Sequence, residues 1–226
     1  FHRSEKTYGF RSQTMHKITR RRFLQGATGL VAMHSVPVLA TLQSPTPSQS
    51  AGPFYPLEMP LDDDNDLTHV AGQEQTALGQ ITDLDGRILD QNGLPLDGVR
   101  IEIWQCDFNG RYRHPRDSGA HPIDPACQGI GHTTSDKLGR YRFRTIRPMP
   151  YPGRTPHIHV AVFPAGEEPF TTQLYVAGEP RNASDFLYQR VPETYRHLVT
   201  TEFRQSGTAD VDFTATWDIV MAVTPG

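Results

Sequence analysis

Apolar side chains recur at every second position in several short stretches of this chain, the pattern of a strand with one face in a core and the other turned to water. Val99-Arg100-Ile101-Glu102-Ile103-Trp104 alternates cleanly, and Tyr141-Arg142-Phe143-Arg144 repeats the pattern. Strands are predicted over 78–84, 98–106, 139–146, 157–163, 171–176 and 212–223. Asp85-Gly86, Gln91-Asn92-Gly93 and Asp136-Lys137-Leu138-Gly139 are expected as turns between them. Only 183–198 has helical spacing, through Phe186, Leu187, Val191 and Leu198, and Pro192 divides it. The expected fold is all-β, an antiparallel β-sandwich with one short helical segment. No repeat of solenoid or propeller period is present.

Composition adds the tails. With 226 residues, 36% apolar content and 19 each of Gly and Pro, the chain fits one turn-rich domain. The formal charge is −3, but residues 1–40 carry Arg3, Lys6, Arg11, Lys17, Arg20, Arg21 and Arg22 against Glu5 alone. Without them 15 basic and 24 acidic residues remain, about −9, which argues against nucleic acid and for a small ligand. Thr19-Arg20-Arg21-Arg22-Phe23-Leu24-Gln25 resembles a twin-arginine export signal and is followed by an apolar stretch over 26–40. About 20 apolar residues are needed to span a bilayer, and His34, Ser35 and Pro37 interrupt this stretch, so no stable membrane anchor is expected. The expected organisation is an export signal over 1–40, a Ser/Pro/Thr linker over 41–50 and the sandwich domain over 51–226, with a periplasmic or secreted destination. The residues before Met15 read as upstream of the true start. Cys106 and Cys127 are too few for a disulfide scaffold and leave a single bridge open.

The chemistry concentrates in Tyr151-Pro152-Gly153-Arg154-Thr155-Pro156-His157-Ile158-His159. Two histidines two apart on a strand project to one face, so their imidazoles can converge on one ion. Alone, His-x-His is a weak signal, equally compatible with two core or surface histidines. The Pro152-Gly153 bend, stiffened by Pro156, brings Tyr151 back toward them. A phenol with a pKa near 10 binds as phenolate at neutral pH only to a strong Lewis acid, and this hard oxygen anion suits ferric iron better than zinc or copper(I). A second tyrosine, Tyr112, stands in Gly110-Arg111-Tyr112-Arg113-His114 beyond the strand that ends near Trp104.

These motifs resemble the intradiol ring-cleavage dioxygenases, and among them most the catalytic beta subunits of the protocatechuate 3,4-dioxygenases. The matching segments include Gly52-Pro53-Phe54-Tyr55-Pro56, 101–112, 136–143, 146–160 and Gln173-Leu174-Tyr175, within roughly residues 51 to 182. The resemblance implies a transthyretin-like (prealbumin-like) sandwich holding non-haem Fe(III) through Tyr112, Tyr151, His157 and His159. It implies that Arg154 lies over the substrate with Gln173 beside it, and that Trp104 lines the site, although Trp104 reads equally as a core aromatic. The implied substrates are a small catechol-type diol and O2, and the implied product is a cis,cis-muconate-type diacid. In such a site two phenolates and a hydroxide neutralise the ferric ion, and a catechol dianion that replaces the hydroxide and one phenolate keeps it neutral. Tyr151 is the expected leaving ligand and base.

Two other classes fit parts of the pattern. A non-catalytic transthyretin-like binding module shares the architecture but has no use for two tyrosines and an arginine around His-x-His. A copper or zinc hydrolase would use His157 and His159 alone. His114, His121 and His132 are expected as surface loop histidines, and 62–66 as a solvated acidic loop. Homo-oligomers and hetero-oligomers remain open, as does the particular diol.

Overall fold

The computed structural model describes residues 42–60, 62 and 64–222. The proposed export signal and the region around Met15 lie outside them. The strands in chain order are β1 (Ile81–Asp90), β2 (Arg100–Trp104), β3 (Ile130–Thr134), β4 (Arg140–Ile146), β5 (His157–Phe163), β6 (Phe170–Val176), β7 (Thr200–Thr201), β8 (Arg204–Gln205), β9 (Phe213–Thr216) and β10 (Ile219–Met221). Between β6 and β7 the chain makes a 3-10 turn (Pro180–Ala183), the helix α1 (Phe186–Arg190) and a second 3-10 segment (Glu193–Leu198), so the helical stretch is interrupted at Pro192 as its spacing implies. Among the described residues no helix is long and apolar enough to cross a membrane.

The strands form two five-stranded sheets, one built on β1 and the other ordered β3-β2-β5-β6-β7. Between them pack Leu84, Ile101, Ile103, Phe143, Ile158, Val160 and Leu174, the apolar halves of the alternating patterns. The expected sandwich is present, but its sheets are mixed. β1 pairs antiparallel with β4 and parallel with β9 and β10, and β6 pairs parallel with β7. Hydrophobic alternation specifies a strand's buried face and carries no information about the direction of its neighbour.

One expected turn is a strand. Asp85-Gly86 lies inside β1, and the predicted strand 212–223 breaks opposite it into β9 and β10. At that break the Trp217 backbone crosses close over Gly86, so that a Cβ there would overlap the Trp217 carbonyl, which also accepts a 2.5 Å hydrogen bond from the Tyr141 hydroxyl. Gly86 is therefore needed for close approach within a strand. Gly86→Ala is expected to destabilise by about 2–3 kcal/mol and to lower the melting temperature by roughly 5–10 °C. A thermal scan within a degree of the parent would contradict this packing.

The Ser/Pro/Thr segment read as a linker is held against both sheets. Thr46 N–H donates to Val220 O at 2.9 Å, Gln49 N–H donates to Thr171 O at 2.8 Å, and Thr46 is buried. It runs on into a strap over the outer face of the second sheet. That strap is why the second face of β2 is dry: Glu102 is buried and accepts a 2.7 Å hydrogen bond from the Tyr55 hydroxyl. Cys106 and Cys127 are both buried free thiols, and burial pushes each up to about 12.

Candidate metal centre

Strand register assembles the site on this covered outer face. Trp104 of β2 pairs across to His159 of β5, which pairs in turn to Gln173 of β6, while His157 pairs to Tyr175. Because successive side chains alternate, Trp104, His157, His159, Gln173 and Tyr175 share one face and Ile158 and Val160 point into the core. The indole of Trp104 stacks on the His159 ring, with centroids 4.9 Å apart and planes 7° from parallel.

Two loops add the tyrosines. Tyr151-Pro152-Gly153-Arg154 is a tight turn closed by Arg154 N–H to Tyr151 O at 2.9 Å, with Pro at its second position and Gly153 at φ 83° in its third, as a type II turn requires. It folds Tyr151 back over His157, ring centroids 5.5 Å apart. Tyr112 sits where the loop after β2 is pinned by two carboxylates. Asp107 accepts from Asn109 N–H and Arg111 N–H, and Asp117 accepts from Tyr112 N–H at 2.6 Å. The Tyr112 and Tyr151 rings meet edge to face at 5.3 Å. Phe54 of the strap stacks on Tyr112 at 4.7 Å and seals it.

All seven residues singled out from the sequence, Trp104, Tyr112, Tyr151, Arg154, His157, His159 and Gln173, fall in this one cluster. His157 Nε2 and His159 Nε2 face each other at 3.1 Å. His157 Nδ1 lies 2.7 Å from Thr155 O, an acceptor only, so that nitrogen carries the proton and Nε2 presents a lone pair. Burial, reinforced by Arg154, lowers the His157 pKa to about 3, and burial together with His157 and Arg154 holds His159 well below its ordinary value. Both imidazoles are neutral, and His157 Nε2 faces Arg154 Nη1 at 3.3 Å as well as His159 Nε2. Burial raises Tyr112 well above 10, and its hydroxyl, closed off from water, makes no well-formed hydrogen bond and has only the Tyr151 phenol as a polar neighbour. Tyr151 is also raised by burial, but Arg154 opposes the shift, with Nη1 3.3 Å from the phenol oxygen.

This donor set fits ferric iron. The two imidazole Nε2 atoms lie 3.1 Å apart and the Tyr112 oxygen has only the Tyr151 phenol beside it, so a hard cation among them would satisfy all three while stabilising the phenolate form. Among the described residues no group of three His, Cys, Asp or Glu could hold a metal. The tyrosines differ in access. Tyr112 is sealed, whereas Tyr151 is half-buried and lines, with Arg154, a cleft of about 600 Å³ that also reaches Asn109, His121, Arg181 and Ser184.

Several residues of the site were not legible beforehand. His114, expected on the surface, is buried edge-on to Phe54, and its Nδ1 accepts from Arg116 N–H at 3.1 Å. The reason is the strap: Arg116 Nη2 donates to Pro53 O at 2.7 Å and holds it down over the histidine. His121 is exposed and His132 partly buried. Asp185 sits behind Arg154, a contact between residues 31 apart that no local pattern signals.

The fold and the two-tyrosine, two-histidine cluster place the chain in a class also reached by comparison with known proteins. A family model described as "Dioxygenase" matches residues 50–223, and the chain belongs to the intradiol ring-cleavage dioxygenase family. It is 37% identical over 150 residues to the protocatechuate 3,4-dioxygenase beta chain of Burkholderia cepacia, covering 62% of this chain and 63% of that one. It is 29% identical over 172 residues to catechol 1,2-dioxygenase of Acinetobacter baylyi, covering 65% and 51%. The chain thus spans between half and two thirds of the length of these curated relatives. Among solved structures it is similar to the dioxygenase domain of a dioxygenase carbohydrate-binding protein fusion from Streptomyces sp. SirexAA-E, with a TM-score of 0.61 and 29% identity over 80% of this chain and 100% of that one.

Proposed function

We propose that this chain is a non-haem iron(III) intradiol dioxygenase that opens a catechol-type ring between its hydroxyls with O2 to a muconate-type diacid. The observation that carries this reading is the convergence of two neutral histidine Nε2 atoms 3.1 Å apart with a buried Tyr112 hydroxyl that has only the cleft residue Tyr151 as a polar neighbour. Tyr112, Tyr151, His157 and His159 would hold the iron. Ferric iron, when bound, supplies a Lewis acid that takes the diol as its dianion and draws electron density from the ring toward reaction with O2.

The residues of the chain supply the rest. Tyr151 stands at the cleft wall where a diol enters, and as phenolate it accepts one of the diol's protons at Oη. Arg154 is held by Gln173 Oε1 at 2.6 Å and Asp185 Oδ2 at 2.8 Å, a fixed positive charge for the negative charge that develops on the ring. On the other side Phe54 stacks on Tyr112 and Trp104 on His159, where with Tyr112 they line a second cleft of about 390 Å³. The cleft lining includes Arg181, whose Nη1 lies 3.6 Å from Glu179, and an acidic ring substituent could compete for it, which makes protocatechuate the first diol to assay.

The test is colour with turnover. The purified protein should be red to brown from phenolate-to-iron charge transfer, contain about one iron per chain, and consume O2 with one or more of protocatechuate, catechol, hydroxyquinol and chlorocatechols. A colourless protein, inactive on all of them after loading with iron, would contradict the proposal and favour a binding module of the same fold. Export by the twin-arginine route is proposed from Arg20-Arg21-Arg22-Phe23-Leu24. It is tested by changing Arg20, Arg21 and Arg22 to Lys and measuring whether the product stays in the cytoplasm.

A further inference from the structure

Asp185 is buried and takes hydrogen bonds from two stretches of the chain at once, 154–155 and 187–188. Its Oδ2 accepts from Arg154 Nε at 2.8 Å and from Thr155 N–H at 2.9 Å, while its Oδ1 accepts from Leu187 N–H at 3.0 Å and Tyr188 N–H at 2.8 Å as the N-cap of α1. Burial acts to raise its pKa, but the Tyr188 and Thr155 amides and Arg154 hold the carboxyl below the ordinary value. On the opposite side of the guanidinium, Nη2 donates to Gln173 Oε1 at 2.6 Å.

A guanidinium is planar and rigid, so two bonds fix the direction of the third nitrogen. With Nε on Asp185 and Nη2 on Gln173, Nη1 is left 3.3 Å from both Tyr151 Oη and His157 Nε2. The same carboxylate fixes the backbone of Thr155, whose carbonyl takes the His157 Nδ1 proton and whose hydroxyl donates to Asn182 Oδ1 at 2.7 Å. The segment 182–188 therefore bears on the site although it supplies none of the four metal donors.

We propose that Asp185 is a positioning residue of the reaction, one that aims Arg154 Nη1 at Tyr151 and so sets the charge that the opening ring meets. The inference rests on the role of Arg154 given above. Asn caps a helix about as well as Asp, so Asp185→Asn keeps the start of α1 while removing the charged partner of Arg154. Asp185→Asn is expected to lower kcat about ten- to a hundredfold with a smaller change in KM, because the lost interaction serves the transition state. In an Arg154→Ala background the same change should alter kcat less than twofold, and a crystal structure of Asp185→Asn should show Nη1 swung away from Tyr151. Asp185→Ser, which keeps a capping hydroxyl too short to reach Arg154, takes its place should the Asn variant not fold.

Wild-type kcat in Asp185→Asn would overturn the proposal. So would an equal loss in both backgrounds, which marks a merely structural role, or an Arg154 unmoved in the crystal. A parent protein that opens no diol would instead refute the functional reading, and the position of Arg154 in the variant's crystal structure would still decide for or against the positioning role.

Discussion

Tyr112→Phe is expected to abolish ring opening, with a loss of at least about a thousandfold or roughly 4 kcal/mol of transition-state stabilisation, and to leave the protein with little iron and little colour. The same substitution should not harm the iron-free protein. The Tyr112 hydroxyl is buried with no well-formed hydrogen bond and only the Tyr151 phenol beside it, and a group so poorly satisfied costs about 1–3 kcal/mol, so its removal should raise the stability of the metal-free form. Activity and metal-free stability should therefore move in opposite directions. Iron content, absorbance and a thermal scan of the chelator-treated protein measure all three. A variant that keeps its iron and its rate would remove Tyr112 from the donor set.

Arg154→Ala is expected to keep iron and colour while lowering turnover by about 10²–10³-fold, the loss seen when a preorganised charge is removed from a developing anion. Stability should fall too, by about 2–4 kcal/mol, because the fully buried Asp185 loses its ionic partner and keeps only backbone donors. Arg154→Lys should recover little, since a single ammonium cannot meet Asp185, Gln173 and Tyr151 together. Steady-state rates and a denaturant titration check both effects. Wild-type turnover in Arg154→Ala would show that its charge does not meet the ring.

The parts of this molecule that were legible in its sequence are those encoded by neighbours along the chain. The period of two in β5 placed His157 and His159 on one face, and Pro152-Gly153 foretold the turn that returns Tyr151 to them. The four donors followed from residue chemistry and a family resemblance, and the structure brings them together. The parts that were not legible depend on partners distant in sequence. β3 carries Gly131 and His132 among few apolar positions and gives no alternation to read. Gly86 has the local signature of a turn, and only the Trp217 backbone crossing over it explains a glycine in mid-strand. Glu102 occupies a position of β2 expected to be wet, and the strap from the amino-terminal side covers it. Asp185 was not singled out in the sequence, and its hold on Arg154 exists only once α1 is packed beside the turn before β5.

The site is proposed to open a diol ring between its hydroxyls with both atoms of dioxygen. Turnover of protocatechuate and catechol under ¹⁸O₂, with mass spectrometry of the products, tests it most directly. The expected result is a muconate-type diacid carrying label from O2 in both new carboxyl groups, formed by the parent protein and lost in Tyr112→Phe. A semialdehyde from cleavage beside the diol, or a product without label from O2, would contradict it.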